Sequence, residues 1–191
     1  MEAFNLLRKK YDNLELVVRS DVPIDIKRKY SGHTNIRIIE DRIPLETLGK
    51  EFQSADIFFL PVHNTPFSVF LDAMSYELPI VTIDAWANSE IVEDGRTGFL
   101  VNKSEKMPYY GENLIPTSGT PKFIKMAKTP DPKVVQHLVE KMSILIENKA
   151  LRRQMGKAGR WEVEQGKFSI YKRTEKLKRI FDDAIAKPKS P

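Results

Sequence analysis

The chain of 191 residues contains no cysteine. That excludes disulfide scaffolds, thiolate zinc sites and cysteine nucleophiles. No run of about 18 apolar residues occurs, so no segment reads as a membrane-spanning helix. The opening Met1-Glu2-Ala3-Phe4-Asn5 lacks the charged-then-apolar layout of a signal peptide. A soluble, cytoplasmic protein is expected. Neither glycine-rich phosphate loop, strand-GxGxxG or GxxxxGK, is found. The three histidines His33, His63 and His137 fall on different elements, so no metal site is expected. His63 alone sits where a ligand crevice would lie. What is present is ordinary for a globular domain: 41% apolar and 30% charged residues. A net charge of +5 favours an anionic partner without choosing among nucleotide phosphate, nucleic acid and membrane surface.

Apolar periodicity alternates in kind along the chain. Phe4, Leu7 and Tyr11 recur at helical spacing and predict a helix over 2–11. Short β-rich runs follow at 14–18 and 35–39. Leu45, Leu48, Phe52 and Ala55 mark an amphipathic helix, and Ile57-Phe58-Phe59-Leu60 a strand apolar on both faces. Phe67, Phe70, Leu71 and Met74 restore the helical step and are expected to face the core. Strands at 79–83 and 99–101 flank a short helix near Ser89–Val92 and the turn Asp94-Gly95-Arg96-Thr97-Gly98. Short apolar strands separated by helix-sized segments predict a parallel sheet covered on both faces, an open doubly wound α/β fold. Ligands of such sheets bind outside the carboxyl ends of the strands. The loops of interest are therefore 19–23, 40–44, 61–67, 84–90 and the chain after 101.

Residues 102–131 break this rhythm with Pro108, Pro116, Pro121, Pro130, Gly111, Gly119 and no clean period. They read as an insertion. Asp131-Pro132 then caps a helix with proline in its first turn. Val135, Leu138, Val139, Met142, Leu145 and Ile146 give it a full apolar stripe. A second helix carries Leu151, Met155 and Ala158, and a third Tyr171, Thr174, Leu177, Phe181 and Ala184. Residues 1–186 thus form one domain closed by helices at 132–186, with 187–191 a frayed tail. Trp161 is expected to pack the closing helices. Lys172, Arg173, Lys176, Lys178 and Arg179 give the last helix a basic face. A solvated face and a peripheral membrane contact are both open readings of it; no nucleic-acid partner is expected.

Chemistry is expected where Leu60-Pro61-Val62-His63-Asn64-Thr65-Pro66-Phe67-Ser68 runs from a strand end into a helix start. Thr65 suits the cap and Pro66 the first position. The amides of Phe67 and Ser68 would then point out of the carboxyl edge, an anion site fit for a nucleotide diphosphate. An ordinary capped helix fits the same residues. Asp72, one turn after Ser68, could accept from the two hydroxyls of a ribose. Trp86 could cover a sugar or base from its crevice loop.

Four segments together carry a resemblance. They are Ser54–Pro61, Thr65–Met74, Glu77–Thr82 and Glu90–Val101, in that order and spacing. They resemble the C-terminal domain of group 1 (family 4) glycosyltransferases, retaining enzymes built of two Rossmann-like halves in the GT-B architecture. Met1–Tyr11, Leu151–Gly166 and Phe168–Ala184 resemble that domain's first and closing helices. The resemblance implies a UDP- or GDP-sugar donor and transfer of a hexose, with no cofactor and no metal. Of the family's paired glutamates, eight positions apart, the second maps onto Asp72 and the first onto Asn64 or Thr65, which would touch the sugar. Phe67 and Ser68 stand near the family's glycine and would hold phosphates. Arg42 and Ile43, in Glu40–Pro44, would meet the base. The loop with two glycines and a proline in the family reads Ala85-Trp86-Ala87-Asn88-Ser89-Glu90 here. The family's acceptor-binding half, its first strand and its diphosphate-binding arginine and lysine have no counterpart in these residues. That strand would lie between 14–18 and 57–60. The resemblance therefore implies a separate or upstream N-terminal half as partner. Lys103, Lys106 or Lys122, in or beside the insertion's proline-rich stretch, could reach the phosphates. The alternative is a non-catalytic interaction module of the same fold.

Overall fold

The computed structural model describes residues 1–63, 65–107 and 121–186, without the side chains of Lys122, Phe123 and Ala127. Asn64, residues 108–120 of the insertion and the expected tail lie outside the described residues. The elements follow in the order α1 (Glu2–Leu7), β1 (Leu16–Arg19), α2 (Ile24–Tyr30), β2 (Ile36–Ile39), α3 (Leu45–Ser54), β3 (Phe58–Phe59) and α4 (Phe67–Ser75). Then come β4 (Ile80–Asp84), α5 (Asn88–Ile91), β5 (Gly98–Asn102), α6 (Pro121–Ala127), α7 (Pro132–Glu147), α8 (Lys149–Glu164) and α9 (Ile170–Ala186).

All paired strands run parallel, as the spacing predicts. Successive strand residues alternate between two apolar clusters, which is the period-two rule at work. Ile57, Phe59, Val81, Ile83, Phe99 and Val101 join one cluster with Ala3 of α1, Val134, Leu138 and Leu145 of α7, and Met155 of α8. Phe58, Leu60, Ile80 and Leu100 join the other, with Phe52 of α3, Phe70, Ala73 and Met74 of α4, and Ile91 of α5. Helices therefore cover both faces. Phe70 and Met74 are fully buried, each contributing about 1.5–3 kcal/mol of transfer free energy.

The strands divide into two sheets, β1-β2 and β3-β4-β5. Two helices bridge them. Asn5 of α1 donates to the Tyr30 hydroxyl of α2 at 2.6 Å, while Ala3 lies in the cluster of Ile57 and Phe59. On the other face Arg37 of β2 pairs with Glu51 of α3 at 2.6 Å, and Phe52 of α3 meets the Phe58 ring at 6.0 Å. The α3 bridge reaches β3, so the β1-β2 pair lies on the β3 side of the three-stranded sheet. In β3 the Phe58 amide donates to Pro79 and that of Leu60 to Val81. The Phe59 amide must then point to the opposite edge. Among the described residues no strand pairs with that edge or with the second edge of β1.

Several local expectations need correction. Helix α1 stops at Leu7, not Tyr11: the amides of Lys10 and Tyr11 both turn back to the Leu7 carbonyl. Tyr11 and Lys10 then bond the Glu147 carboxylate, Lys10 at 2.8 Å. The first strand is displaced to 16–19, in register with Ile36–Ile39. Within the expected insertion, Pro121–Ala127 is a helix, with proline as its first residue. Asp131 does cap α7, accepting from the Lys133 amide at 3.0 Å. Helix α9 buries none of its residues; Tyr171, Leu177 and Phe181 are all exposed. Trp161 is half exposed rather than packed inside, with Arg96 and Lys172 over its ring. No helix among the described residues is long and apolar enough to cross a membrane.

Candidate functional site

The carboxyl ends of β3 and β4 open into two loops, 60–66 and 85–87, and the sequence ties them together. Thr82, fully buried in β4, donates to the Leu60 carbonyl at 2.7 Å. Thr65 does not cap α4 as expected. The α4 N-cap is Pro66 and has no side-chain bond. The Thr65 hydroxyl oxygen accepts instead from the Ala87 amide at 3.1 Å. Asn88, also fully buried, donates through Nδ2 to the Ile83 carbonyl at 3.0 Å and the Val62 carbonyl at 3.4 Å. Sequence reasoning gave Asn88 no role. Its signal was an amide side chain at a helix start just past an apolar strand, a position where side chains bond nearby backbone.

Helix α4 begins between these loops. The Phe67 amide is not available to a ligand, because it donates to the Thr65 carbonyl at 2.9 Å. The Ser68 and Val69 amides donate to no described residue. They are the first-turn groups that a helix N-terminus presents to an anion. The Phe67 side chain is half exposed, not core, and packs edge-on against Phe168 at 5.7 Å. Ser68 and Asp72 are exposed on one face of α4, opposite the buried Phe70 and Met74.

His63 is half-buried in the same loop, and its Nδ1 is buried with no partner. Burial holds its pKa below 6.5, so the ring is neutral at pH 7. The Asn88 Oδ1 is likewise buried and unpartnered. Two orphaned polar atoms thus flank Val62, at the floor of the loop pair. Such atoms are rare in native structures, and each calls for a partner such as a water or an ion.

The other expected residues lie around this centre. Arg42 is exposed and Ile43 half-buried in the loop after β2. That loop is anchored by Glu40, whose carboxylate takes the Lys27 ammonium at 2.5 Å and the Val22 amide at 3.0 Å. Lys27 first, then the Val22 amide, hold this carboxyl below the usual carboxylate range. Trp86 stands in the loop after β4, its side chain nearly half exposed. Lys103 and Lys106 line a cavity of about 370 Å³ at the end of β5, with Lys133 and His137. Ser104 donates to Asp131 at its rim. The Lys122 side chain and Asn64 lie outside the described residues. His33 is far from this edge, bonded to Arg8 at 2.8 Å.

A family model of group 1 glycosyl transferases matches residues 1–109. No curated protein matches the chain. Among solved structures, the C-terminal domain of a glycosyl transferase group 1 family protein (LpcC) from Francisella tularensis is 21% identical, with a TM-score of 0.63 over 88% of this chain and 77% of that one. The pneumococcal O-GlcNAc transferase GtfA, solved with UDP and GlcNAc, is 13% identical with a TM-score of 0.69 over 97% of this chain. Sucrose-phosphate synthase from Thermosynechococcus elongatus is 15% identical with a TM-score of 0.66, again over 97% of this chain. The chain spans 32% and 42% of those two proteins. The shared architecture is one Rossmann-like half of the GT-B fold.

Proposed function

The chain belongs to the group 1 glycosyl transferases, and we propose that it is the donor half of such an enzyme, holding a UDP- or GDP-sugar whose hexose passes to an acceptor. One observation carries this reading. At the carboxyl edge, α4 presents the Ser68 and Val69 amides beside two loops pinned to each other by Thr65, Thr82 and Asn88. In transfer the bond from the anomeric carbon to the diphosphate oxygen breaks, one to the acceptor oxygen forms, and the acceptor hydroxyl's proton passes to the departing diphosphate. Negative charge then grows on the departing phosphate. Fixed amides at a helix N-terminus meet that charge with no reorganisation.

In this reading the diphosphate lies at Ser68, with the Phe67 backbone shaping the turn. Asp72 accepts from the ribose hydroxyls, Arg42 and Ile43 flank the base, and Asn64 and Thr65 border the sugar. A second Rossmann-like half, upstream or on another chain, supplies the acceptor. The relatives' greater length supports this, and so does the exposed stripe of Ile170, Leu177, Phe181 and Ile185 on α9. The same helix carries Lys172, Arg173, Lys176, Lys178 and Arg179, which keeps peripheral membrane contact within the proposal. Without a partner half the proximity contribution, roughly 7–11 kcal/mol, is missing.

A non-catalytic module of this fold remains the second reading, favoured by Asn64 and Thr65 where the family has an acid. Calorimetry against UDP, GDP, UDP-glucose and GDP-mannose tests donor binding. Weak binding is expected. Asp72→Ala is expected to weaken it by about 1.5–3 kcal/mol, roughly 10- to 150-fold. No heat with any nucleotide at millimolar concentration overturns the reading; unchanged affinity in the variant removes Asp72 from the site.

A further inference from the structure

Trp86 holds a backbone conformation that a tryptophan rarely adopts. Its φ is 52°, in the left-handed region. For an L residue that region costs roughly 1–2 kcal/mol. Such a conformation persists only when its surroundings over-determine it, and it is found where a function uses it. The surroundings here are tight. Ala85 is buried at 2% exposure, the Ala87 amide is held by Thr65, and Asn88 is fully buried between two carbonyls. Between these fixed points, 45% of Trp86 is open to solvent. The loop is pinned, and Trp86 within it stays nearly half open to solvent past the carboxyl end of β4.

Its position says what the ring could meet. β4 has β3 on one side and β5 on the other, and the β1-β2 pair lies on the β3 side. A ligand laid along the carboxyl edge from the 40–44 loop meets the α4 N-terminus at β3, then Trp86 at β4. In the donor reading above, on which this inference rests, the base lies first and the diphosphate second. The sugar comes third. We propose that Trp86 is a stacking platform for the hexopyranose of the donor, and so a specificity-determining residue of the site. An indole face suits the C–H face of a pyranose, because both are flat and apolar while the sugar hydroxyls stay at the ring edge to be hydrogen-bonded.

The chain has two tryptophans, so Trp161→Phe leaves Trp86 as the sole indole reporter. In that background UDP, UDP-glucose, UDP-N-acetylglucosamine and GDP-mannose are titrated by fluorescence, and the affinities are checked by calorimetry. A UDP-hexose is expected to bind more tightly than UDP and to change the Trp86 emission beyond the change with UDP. Trp86→Gly removes the ring and relieves the left-handed strain, so it folds at least as readily. It is expected to lower the ratio of UDP-hexose to UDP affinity by about tenfold, the scale of covering a half-exposed indole. Affinity for UDP itself holds, and Trp86→Phe recovers part of the ratio. An unchanged ratio in Trp86→Gly, or a UDP-hexose no tighter than UDP in the starting protein, overturns the platform while leaving the donor reading standing. Absence of binding by every nucleotide overturns both.

Discussion

Replacing Asn88 shows how the crevice is held together. Its Nδ2 donates to the Ile83 carbonyl at 3.0 Å and to the Val62 carbonyl at 3.4 Å, and its Oδ1 has no partner. Asn88→Ala removes both bonds and the orphaned oxygen together. A buried carbonyl that loses its donor costs about 1–3 kcal/mol. The longer bond is near the limit of useful geometry and adds little. Losing the unpaired Oδ1 offsets part of the cost. The net expectation is a loss of about 1–2 kcal/mol. At about 2–4 °C per kcal/mol for a domain of this size, Tm falls by roughly 2–8 °C. Asn88→Asp is the sharper test, because it keeps the shape but sets two acceptor oxygens against two carbonyls. A buried carboxylate without a cation takes up a proton instead, so its folded-state pKa rises. A raised carboxyl pKa means stability lost as pH climbs and regained toward about pH 4. Calorimetric melts at about pH 5 and pH 8 read both variants. An Asn88→Asp protein no less stable than Asn88→Ala at about pH 8 refutes the assignment of the two donated bonds.

Other expectations follow from single contacts. A Cβ added at Gly156 in α8 would stand 1.9 Å from the Glu77 carbonyl oxygen. Gly156→Ala therefore lowers Tm by an overpacking cost of about 1–3 kcal/mol or more, which exceeds the helix-propensity gain of about 1 kcal/mol. Gly32→Ala, in open space, is the control, and a higher Tm for Gly156→Ala refutes the close approach of α8. Glu162 is buried on α8, takes both Arg96 Nη atoms at 2.7 Å and accepts from the Lys167 amide at 3.0 Å. Burial alone would push its carboxyl up, but the Lys167 amide and the Arg96 guanidinium outweigh burial and hold it below the usual range. Its stabilisation is present above the unfolded carboxylate range and lost as pH falls through the folded value; Glu162→Gln should flatten the acid limb of Tm against pH. Burial lowers the His63 pKa, so the unfolded chain takes the proton first and stability declines as pH drops below about 6.5. His63→Phe should remove that step from the profile, and an NMR titration giving a pKa above 6.5 would contradict it.

The fold was legible because its strands are apolar on both faces. Ile57-Phe58-Phe59-Leu60 reads as a doubly buried strand, and the structure sends those residues alternately into the two clusters. Helix limits were less legible, because they depend on partners distant in sequence. Tyr11 has the right spacing to extend α1, yet it bonds Glu147, 136 residues away. α9 has a sound helical period, but period does not say what covers the stripe, and none of its residues is buried. The division into two sheets was legible only through the family resemblance. No residue of β1 or β3 announces by itself which edge its neighbour occupies.

The candidate site fails local reasoning for a related cause. A threonine before proline at a helix start is a sound capping signal, and Thr65 carries it. The cap was lost to competition, because the Ala87 amide from the next strand's loop is an equally good donor and sits within 3.1 Å. The same swap shapes the candidate site. If Thr65 capped α4, the two loops would lose a tie and the first turn would close on itself. With Thr65 turned toward Ala87, α4 has no side-chain cap, and the Ser68 and Val69 amides donate to no described residue. In the proposed donor reading the diphosphate is the partner that meets these amides. Asn88 fits the same logic. Its amide holds the loop after β4 in place, and that loop carries Trp86 with a positive φ. Local rules fail at Thr65, Trp86 and Asn88, three residues of one pair of loops, because tertiary contacts there outweigh local preference.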